Sequence, residues 1–501
     1  MPASTSEHDQ NHDDPQFLPQ QDHRHNERHT LAGQEQQPDR LRLREKIGYL
    51  CQDGSMELYL QFMGLYLLVF YTDVCGIPPS LAGTLVLICT IWNAVNDPLV
   101  GWLVDNLRFK GGEKIRPILK YMTLPSALFV ILLFWMPALE PAQAFVYALV
   151  MYCVMDSFMT FLGIPYVSLP SVLTNKADER VSLGTFASLG ASLGAIIASA
   201  CAVLLMRAFG GSDAAGNVLN QQAGFRGAAI VLMVIFALCQ FFMYVVGRER
   251  VRPQHTGKQR VGFFKAFGIL LTERNFMMIV GYNIFWTFSL SASLNTVAYY
   301  GKYVLYTPGA EGILAPILIA MAVLVLPFVR LINRKARRRG LLVTAATAML
   351  VSRVPLLIAP TSFVAAAVAA GLMGIAMGCS VVAINTNLNE AIEITEWRRG
   401  LRLEGTVNAL RGLFLKLVTA VIGFALGQAM AWGGYVAPTE AVLAPAQNEA
   451  TQFVFTFFFA YFPLITAVGM LVLALLNPTD RDAATMRAAK AEAASEDEGV
   501  E

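Results

Sequence analysis

The chain has 501 residues, of which 55% are hydrophobic and 15% are charged, whereas ordinary soluble domains are about 45–50% apolar and about 25% charged. This apolar excess, with a mean hydropathy of +0.49, argues against a water-soluble fold. The net charge of +2 is too small to indicate a nucleic-acid partner.

The first forty residues are polar, rich in Gln and His and without periodicity, so we predict a disordered cytoplasmic tail over residues 1–45. Weak metal capture by this tail is an alternative, because it holds five of the six histidines: His8, His12, His23, His25 and His29. The sixth, His255, lies in a polar loop. Proton transfer within the membrane would therefore fall to carboxylates.

Apolar segments of about the length of a bilayer-spanning helix then follow one another. They cover residues 47–72, 81–104, 117–136, 142–169, 183–206, 225–247, 275–300, 311–332, 340–359, 362–385, 404–432 and 451–476. The pattern predicts an all-α polytopic membrane protein of about twelve helices. The seven cysteines are scattered among these segments without a CxxC motif, and no metal or cofactor is expected.

The longest internal polar stretch divides the segments into two groups of six. We predict an N-terminal bundle over 46–247, a central loop over 248–273, a C-terminal bundle over 274–477 and a C-terminal tail over 478–501. Lys and Arg concentrate in alternate loops, which predicts that the central loop and both termini are cytoplasmic.

Four motifs carry a family resemblance. They are KIGYLCQDGSMELYLQFMGLYLLVFYTDV at 46–74, WNAVNDPLVGWLVDNLRFKGGEKIRP at 92–117, GIPYVSLPSVLTNKADERVSLGTFASLGAS at 163–192 and EAIEITEWRRGLRLEGTVNALRGLFLKLVTA at 390–420. In this order the chain resembles the glycoside-pentoside-hexuronide:cation symporters.

The resemblance implies a major facilitator fold in the cell's inner membrane. It also implies alternating access, and symport of a sugar, glycoside, hexuronide or related solute with Na⁺, Li⁺ or H⁺ by a protein that functions as a monomer. The chain departs from the family at three sugar-site positions, Gly163, Val167 and near Gly184. An alternative is the same fold carrying a more apolar amphiphile such as a lysolipid. An enzyme or receptor lacks support, because no nucleophile-base pair, metal cluster or phosphate loop appears.

Glu57 lies about ten residues into the first segment, or about 15 Å along a helix. A charge at that depth costs roughly 2.5–3.5 kcal/mol, so the carboxylate is either functional, paired or neutralised. It matches the acidic site that serves both sugar and cation in the resembling family.

Asn93 and Asp97 stand one helical turn apart and can present oxygens to one cation. Thr160 matches a cation-site threonine of the family. The family commonly has a second Asp at the Asn93 position, which leaves proton coupling through Glu57 or Asp97 open. Alternatively, the NDPxxG sequence at Asp97 serves to shape the end of the second helix.

Four more residues are candidates for substrate binding: Asp156, Trp286, Arg353 and Lys416. Asp156 shares a helix face with Thr160 and could replace the carboxylate missing at Gly163. Lys416 matches a buried family lysine and serves either an ion pair or the substrate. Arg353 needs an anionic partner from the protein or from the substrate, and Trp286 either stacks on a sugar or packs.

Gating is expected at the cytoplasmic ends of the helices. The GxxxD sequence that ends at Asp105 looks like the gate motif of major facilitators. Acidic and basic residues near this motif and at the end of the tenth segment look like salt-bridge partners. The predicted gating residues are Asp105, Arg116, Glu393, Glu396 and Arg402.

Overall fold

The computed structural model describes residues 41–106, 113, 115–250, 263–335, 338–401, 404–439 and 442–498. The chain divides into two units, residues 1–42 and residues 43–501. All helices of the described residues belong to the second unit, and the described residues of the first are 41 and 42.

The described part of the second unit contains fifteen α-helices and two π-helical turns. The α-helices are α1 (Leu43–Val69), α2 (Pro79–Asn106), α3 (Arg116–Leu133), α4 (Pro141–Leu173), α5 (Ala177–Gly210), α6 (Gln221–Val246), α7 (Phe263–Thr272), α8 (Arg274–Tyr303), α9 (Glu311–Lys335), α10 (Arg338–Ile358), α11 (Phe363–Arg399), α12 (Glu404–Gly433), α13 (Glu449–Thr456), α14 (Phe462–Leu476) and α15 (Thr479–Glu498). The π-helical turns are Phe70–Val74, directly after α1, and Phe457–Tyr461, between α13 and α14.

Eleven helices of the described residues are long and apolar enough to cross a membrane. The helix α1 is similarly long, with 27 residues, but Lys46, Asp53 and Glu57 make it less apolar. It supplies the twelfth spanning helix, in agreement with the predicted all-α architecture of about twelve helices. No strand occurs in the ranges described, where the β-pairing is an isolated bridge between Ser212 and Val218.

Three helices differ from the sequence prediction. The helix α11 ends at Arg399 rather than near residue 385, because the polar EAIEITEWRR stretch continues the helix until Gly400 adopts a left-handed φ of 65°. The predicted central loop contains α7, and the predicted C-terminal tail contains α15. Hydropathy marks where a helix leaves the apolar layer, not where its hydrogen bonds end.

We name the end of the bundle where α1 begins and α14 ends the proximal end, and the opposite end the distal end. Within the N-terminal half, α1 packs most closely on α5. Their glycines allow the backbones to touch: a Cβ added to Gly194 would lie 1.8 Å from the Gly54 carbonyl oxygen, and one added to Gly190 would lie 2.1 Å from the Leu50 carbonyl oxygen. The two helices therefore share a backbone-to-backbone contact.

Hydrogen bonds join the two halves at the distal end, around Asp73 in the first π-helical turn. The Asp73 carboxylate receives Lys302 Nζ at 3.3 Å and the Tyr435 hydroxyl at 2.6 Å. Beside it, the hydroxyl groups of Thr72 and Tyr299 are 2.8 Å apart. We name this group of five residues the distal lock, because it holds the N-terminal half against α8 and the segment after α12.

Glycines also bring α2 and α12 together near the distal end. A Cβ added to Gly83 would lie 2.9 Å from the Phe424 carbonyl oxygen, and one added to Gly427 would lie 2.5 Å from the Pro79 carbonyl oxygen. Gln428 Nε2 donates to the Ser80 carbonyl oxygen at 3.0 Å. The distal end is therefore closed along this seam as well.

The α1–α5 contact gives a test of the fold. We expect Gly194→Ala to lower the unfolding temperature of the purified protein by several degrees, because overpacking of this kind costs about 1–3 kcal/mol. Gly184→Ala in the same helix is the matched control: a Cβ there meets nothing within 4 Å, and the gain in helix propensity is up to about 1 kcal/mol. Equal unfolding temperatures for the two variants would contradict the close contact.

Candidate functional site

Lys416 joins the two halves near the middle of the bundle. Its ammonium group in α12 donates to Asn93 Oδ1 at 2.5 Å and to Asp97 Oδ2, both in α2. The Asp97–Lys416 contact is an ion pair between residues of opposite halves. Lys416, predicted either to pair or to bind substrate, is thus paired in this structure.

The helix α4 adds a second carboxylate to the same place. Asp156 Oδ1 accepts from Asn93 Nδ2 at 2.6 Å, and Asp156 Oδ2 accepts from Asn96 Nδ2 at 3.4 Å. Thr160 Oγ1 accepts from Asn96 Nδ2 at 2.9 Å and lies 3.4 Å from Asp97 Oδ1. We name the six residues the central cluster: Asn93, Asn96, Asp97, Asp156, Thr160 and Lys416.

The central cluster combines burial with access to water. Asp156 is 4% exposed, whereas the side chains of Asp97 and Lys416 are 42% and 38% exposed. Since an ion pair facing hydrocarbon would be costly, the exposed edge lines an aqueous cleft. The glycine seam lies distal to Lys416 on α12, so we infer that this cleft opens toward the proximal end.

The charges of the central cluster do not balance. With both carboxylates ionised, Asp97 and Asp156 contribute two negative charges and Lys416 one positive charge. One negative charge remains, together with amide and hydroxyl oxygens of the kind that hard cations bind. Electrostatically, the cluster can accept one monovalent cation or one proton.

Glu57 belongs to a different group. It interacts electrostatically with Asp53, one turn earlier in α1, and with Tyr166 of α4. Asp53 is 4% exposed. The prediction placed Glu57 with Asn93, Asp97 and Thr160. The structure brings the last three into contact, and the place of Glu57 beside them stays a prediction.

Two predicted substrate residues lie within the C-terminal half. Arg353 is 1% exposed, and its contacts are to Ser293, Met373 and the Phe459 carbonyl oxygen. Trp286 in α8 is half-buried. The contacts described for these two residues do not join them to the central cluster, so their predicted role in substrate binding stays a prediction.

Sequence reasoning missed a polar group in the C-terminal half. Arg411, one and a half turns before Lys416 in α12, donates to Asn385 Oδ1 at 3.2 Å. With its amide oxygen turned toward Arg411, Asn283 accepts from Arg411 Nε at 2.6 Å. The sequence did contain a signal for this group: Arg411 lies inside an apolar segment, and a charged residue there is costly unless it has partners.

Sequence reasoning also missed Asn96 and Asp53. Asn96 lies three residues after Asn93, and Asp53 lies four residues before Glu57, so helical spacing alone places each beside a predicted residue. Asn96 carries no charge and does not stand out in a hydropathy profile, although its amide forms hydrogen bonds as readily as that of Asn93.

The contacts described do not join three of the predicted gating residues, Arg116, Glu393 and Glu396, to one another, and the predicted gating role stays a prediction. Arg116 pairs with Glu113 at 3.0 Å and donates to the Tyr244 carbonyl oxygen, so it joins α3 to α6 within one half. Glu393 and Glu396 make no ion pair within the described ranges. The Asp105 side chain and Arg402 lie outside the described residues.

Other charged residues pair at the proximal end of the C-terminal half. Glu273, just before α8, receives Arg399 at 2.9 Å, and Arg398 pairs with Asp482 of α15 at 2.7 Å. Glu390 pairs with Arg487 of α15 at 2.8 Å. The polar end of α11, where the prediction expected gate salt bridges, is thus bound to its own half by these contacts.

Comparison with known proteins identifies the family and the fold. A family model described as "MFS/sugar transport protein" matches residues 49–481. The isoprimeverose transporter of Lactiplantibacillus pentosus is 27% identical over 402 residues, 78% of this chain and 81% of that protein. The inner membrane symporter YicJ of Escherichia coli (strain K12) is 27% identical over 445 residues, 87% of this chain and 91% of that protein.

A further relative is the putative glycoside/cation symporter YagG of Escherichia coli (strain K12), 26% identical over 446 residues that cover 88% of this chain and 93% of that protein. Among solved structures, a bacterial homolog of the human lysosomal transporter Spinster superposes with a TM-score of 0.62 at 13% identity, covering 89% of this chain and 97% of that chain. The nucleoside transporter NupG gives a TM-score of 0.52 at 12% identity, with coverages of 86% and 98%. At these identities the structural likeness concerns the fold alone.

The Asp97–Lys416 pair can be tested by a double-mutant cycle. We expect Asp97→Asn and Lys416→Met each to lower the unfolding temperature, and the double variant to regain part of the loss, because Asp97→Asn removes the direct partner of the ammonium group and Lys416→Met leaves two carboxylates without a cation. Since both side chains are more than a third exposed, the coupling should be about 1 kcal/mol. As a control, Asp97→Asn combined with Arg116→Gln should be additive. Additivity for Asp97 and Lys416 would contradict the pair.

Proposed function

The chain belongs to the MFS/sugar transport protein family, among the glycoside-pentoside-hexuronide:cation symporters, and from this premise we propose that it couples uptake of a sugar, glycoside or hexuronide to a cation or proton. It is a multi-pass membrane protein with the major facilitator fold. Its relatives are transporters and not enzymes, and secondary transport is the activity they support.

We propose that the proximal end is cytoplasmic and the distal end faces outward. Support comes from the loops: the stretches after α2, α6 and α9 carry RFKGGEKIR, RERVRPQHTGKQR and RKARRRG, whereas Arg207 and Lys302 are the main basic residues of the opposite ends. With this orientation the structure is closed to the outside, and the cleft at the central cluster opens to the cytoplasm.

The contact of the Lys416 ammonium group with oxygens of Asn93 and Asp97 is the observation that carries the proposal. Lys416 Nζ stands between Asn93 Oδ1 and Asp97 Oδ2, where a coupling cation would find oxygen ligands. We propose that Na⁺, Li⁺ or a proton on Asp97 takes the place of this ammonium group. The resident lysine thus acts as a stand-in cation for the unloaded protein.

Replacement of Lys416 links ion binding to solute binding. A released Lys416 would join Arg411, Asn283 and Asn385, which supply the donors and acceptors that sugar hydroxyl or carboxylate groups require. Because binding of the ion and binding of the solute then favour the same arrangement, each raises the affinity for the other. This reciprocity is the thermodynamic basis of symport.

Movement between the two open states requires the distal lock to separate. Asp73 would have to lose Lys302 and Tyr435, and this loss is tolerable only if new contacts form at the proximal end. The loaded cluster, in which a cation or a proton balances the charges, would make the exchange more readily than the empty cluster, which keeps one unbalanced negative charge. The lysolipid alternative is not favoured, because the relatives are named for glycosides and related sugars.

The coupling role of Asp97 can be tested in proteoliposomes. We expect Asp97→Asn to abolish accumulation of the sugar against its gradient, while exchange of labelled sugar across the membrane continues. The physical reason is that a neutral amide can neither take a proton nor balance a cation. Uptake should be measured under imposed Na⁺, Li⁺ and H⁺ gradients with a panel of glycosides and hexuronides.

Asp178→Asn is the control, because Asp178 is an exposed acid in the first turn of α5 and is not part of the central cluster. Its accumulation should equal that of the wild type. If Asp97→Asn still accumulates sugar under every gradient, the central cluster is not the coupling site.

The choice of coupling ion depends on Asn93. We expect Asn93→Asp to increase the stimulation of uptake by Na⁺, because it adds a third carboxylate to the central cluster and strengthens an oxygen-ligand site for a hard cation. The measurement is the sodium concentration for half-maximal uptake at fixed pH. A variant with unchanged or weaker sodium response would contradict this assignment of Asn93.

A further inference from the structure

Arg353 is an arginine sealed inside the C-terminal bundle. It lies in α10, and its exposed fraction is 1%. Its Nη1 donates to the Phe459 carbonyl oxygen at 3.3 Å, within the second π-helical turn, and its Nη2 reaches Ser293 Oγ at 3.1 Å and Met373 Sδ at 2.7 Å. Each of these partners is formally neutral.

The positive charge of Arg353 has no carboxylate partner among the described residues. A guanidinium stays protonated in proteins, and removing such a charge from water without a counter-ion costs several kcal/mol. Carbonyl and hydroxyl dipoles offset part of this cost. The buried Nε atom has no hydrogen-bond partner, so the group retains an unused donor.

A small cavity of about 20 Å³ adjoins the guanidinium. Arg353 and Ser293 supply its polar groups, and the rest of its lining is apolar, with Leu294, Leu318, Met373 and Phe459 among the contributors. A buried cation with a free donor, next to a space that holds one small atom or ion, is a site that an anion would complete.

We propose that Arg353 and Ser293 form a binding site for a small inorganic monovalent anion such as chloride. One guanidinium balances one negative charge, and a divalent anion would leave a second charge facing an apolar wall. The site is separate from the central cluster, because its lining comes from α8, α9, α10, α11 and the second π-helical turn and includes no residue of that cluster. It does not depend on the proposed coupling of sugar and cation.

Anion binding at this site would stabilise the folded protein by mass action. The experiment uses the purified full chain in detergent, exchanged into gluconate and titrated with chloride, bromide or nitrate at constant pH and ionic strength. We expect the unfolding temperature to rise saturably by several degrees. Sulfate at matched ionic strength should give only a gradual rise without saturation, which separates site binding from a general salt effect.

Two variants assign the effect to Arg353. Arg353→Met should abolish the response to halide, and in gluconate it should unfold at or above the wild-type temperature, because an apolar side chain of similar length removes an uncompensated charge. Arg353→Lys should retain the response with altered affinity. Arg339→Met, at an exposed arginine of the same helix, is the control and should respond like the wild type.

A wild-type protein that is insensitive to halide, or an Arg353→Met variant that keeps the full response, would overturn the proposal. If the methionine variant does not fold, crystals of the wild type grown in bromide decide the question. An anomalous peak at the Arg353 guanidinium supports the site, and its absence under saturating bromide refutes it.

Discussion

The contact between the Lys416 ammonium group and the oxygens of Asn93 and Asp97 is the interaction on which the functional interpretation depends. It is electrostatic, it lies in the membrane interior, and it connects residues of opposite halves. Any change in its charge therefore alters both local solvation and the attraction between the halves. The atoms whose charge changes when an ion or a proton binds are thus also the atoms that hold the two halves together. This is the condition for an ion gradient to drive movement of the halves.

The remaining polar residues fall into sets that this contact organises. In the N-terminal half, Asp156 accepts from the two asparagines and Thr160 contacts Asp97. In the C-terminal half, Arg411 lies five residues before Lys416 in α12. The contacts described do not join Glu57 and Asp53 of α1 to this set.

Much of the fold was predictable, because the lengths of apolar segments and the placement of basic loops are fixed by the bilayer. The pairing of Asn93, Asp97 and Thr160 also followed, since helical spacing and the family resemblance both pointed to one face. Contacts between distant helices were not predictable: nothing in one sequence says that Lys416 meets Asp97, or that Arg353 meets Ser293. The extension of α11 to Arg399 was missed because its last turns are polar. The helix α15 was missed because a hydropathy profile does not detect a helix outside the bilayer.

The seam between α2 and α12 has a mechanical consequence. Where Gly83, Gly423 and Gly427 meet, main-chain surfaces touch with little side-chain interlocking. Such a contact lets one bundle tilt over the other without separating interlocked side chains. The energy barrier to this movement is therefore low at the seam. The barrier to tilting then comes mainly from the few charged and hydroxyl contacts on either side of the seam. The strength of those contacts depends on water and ions.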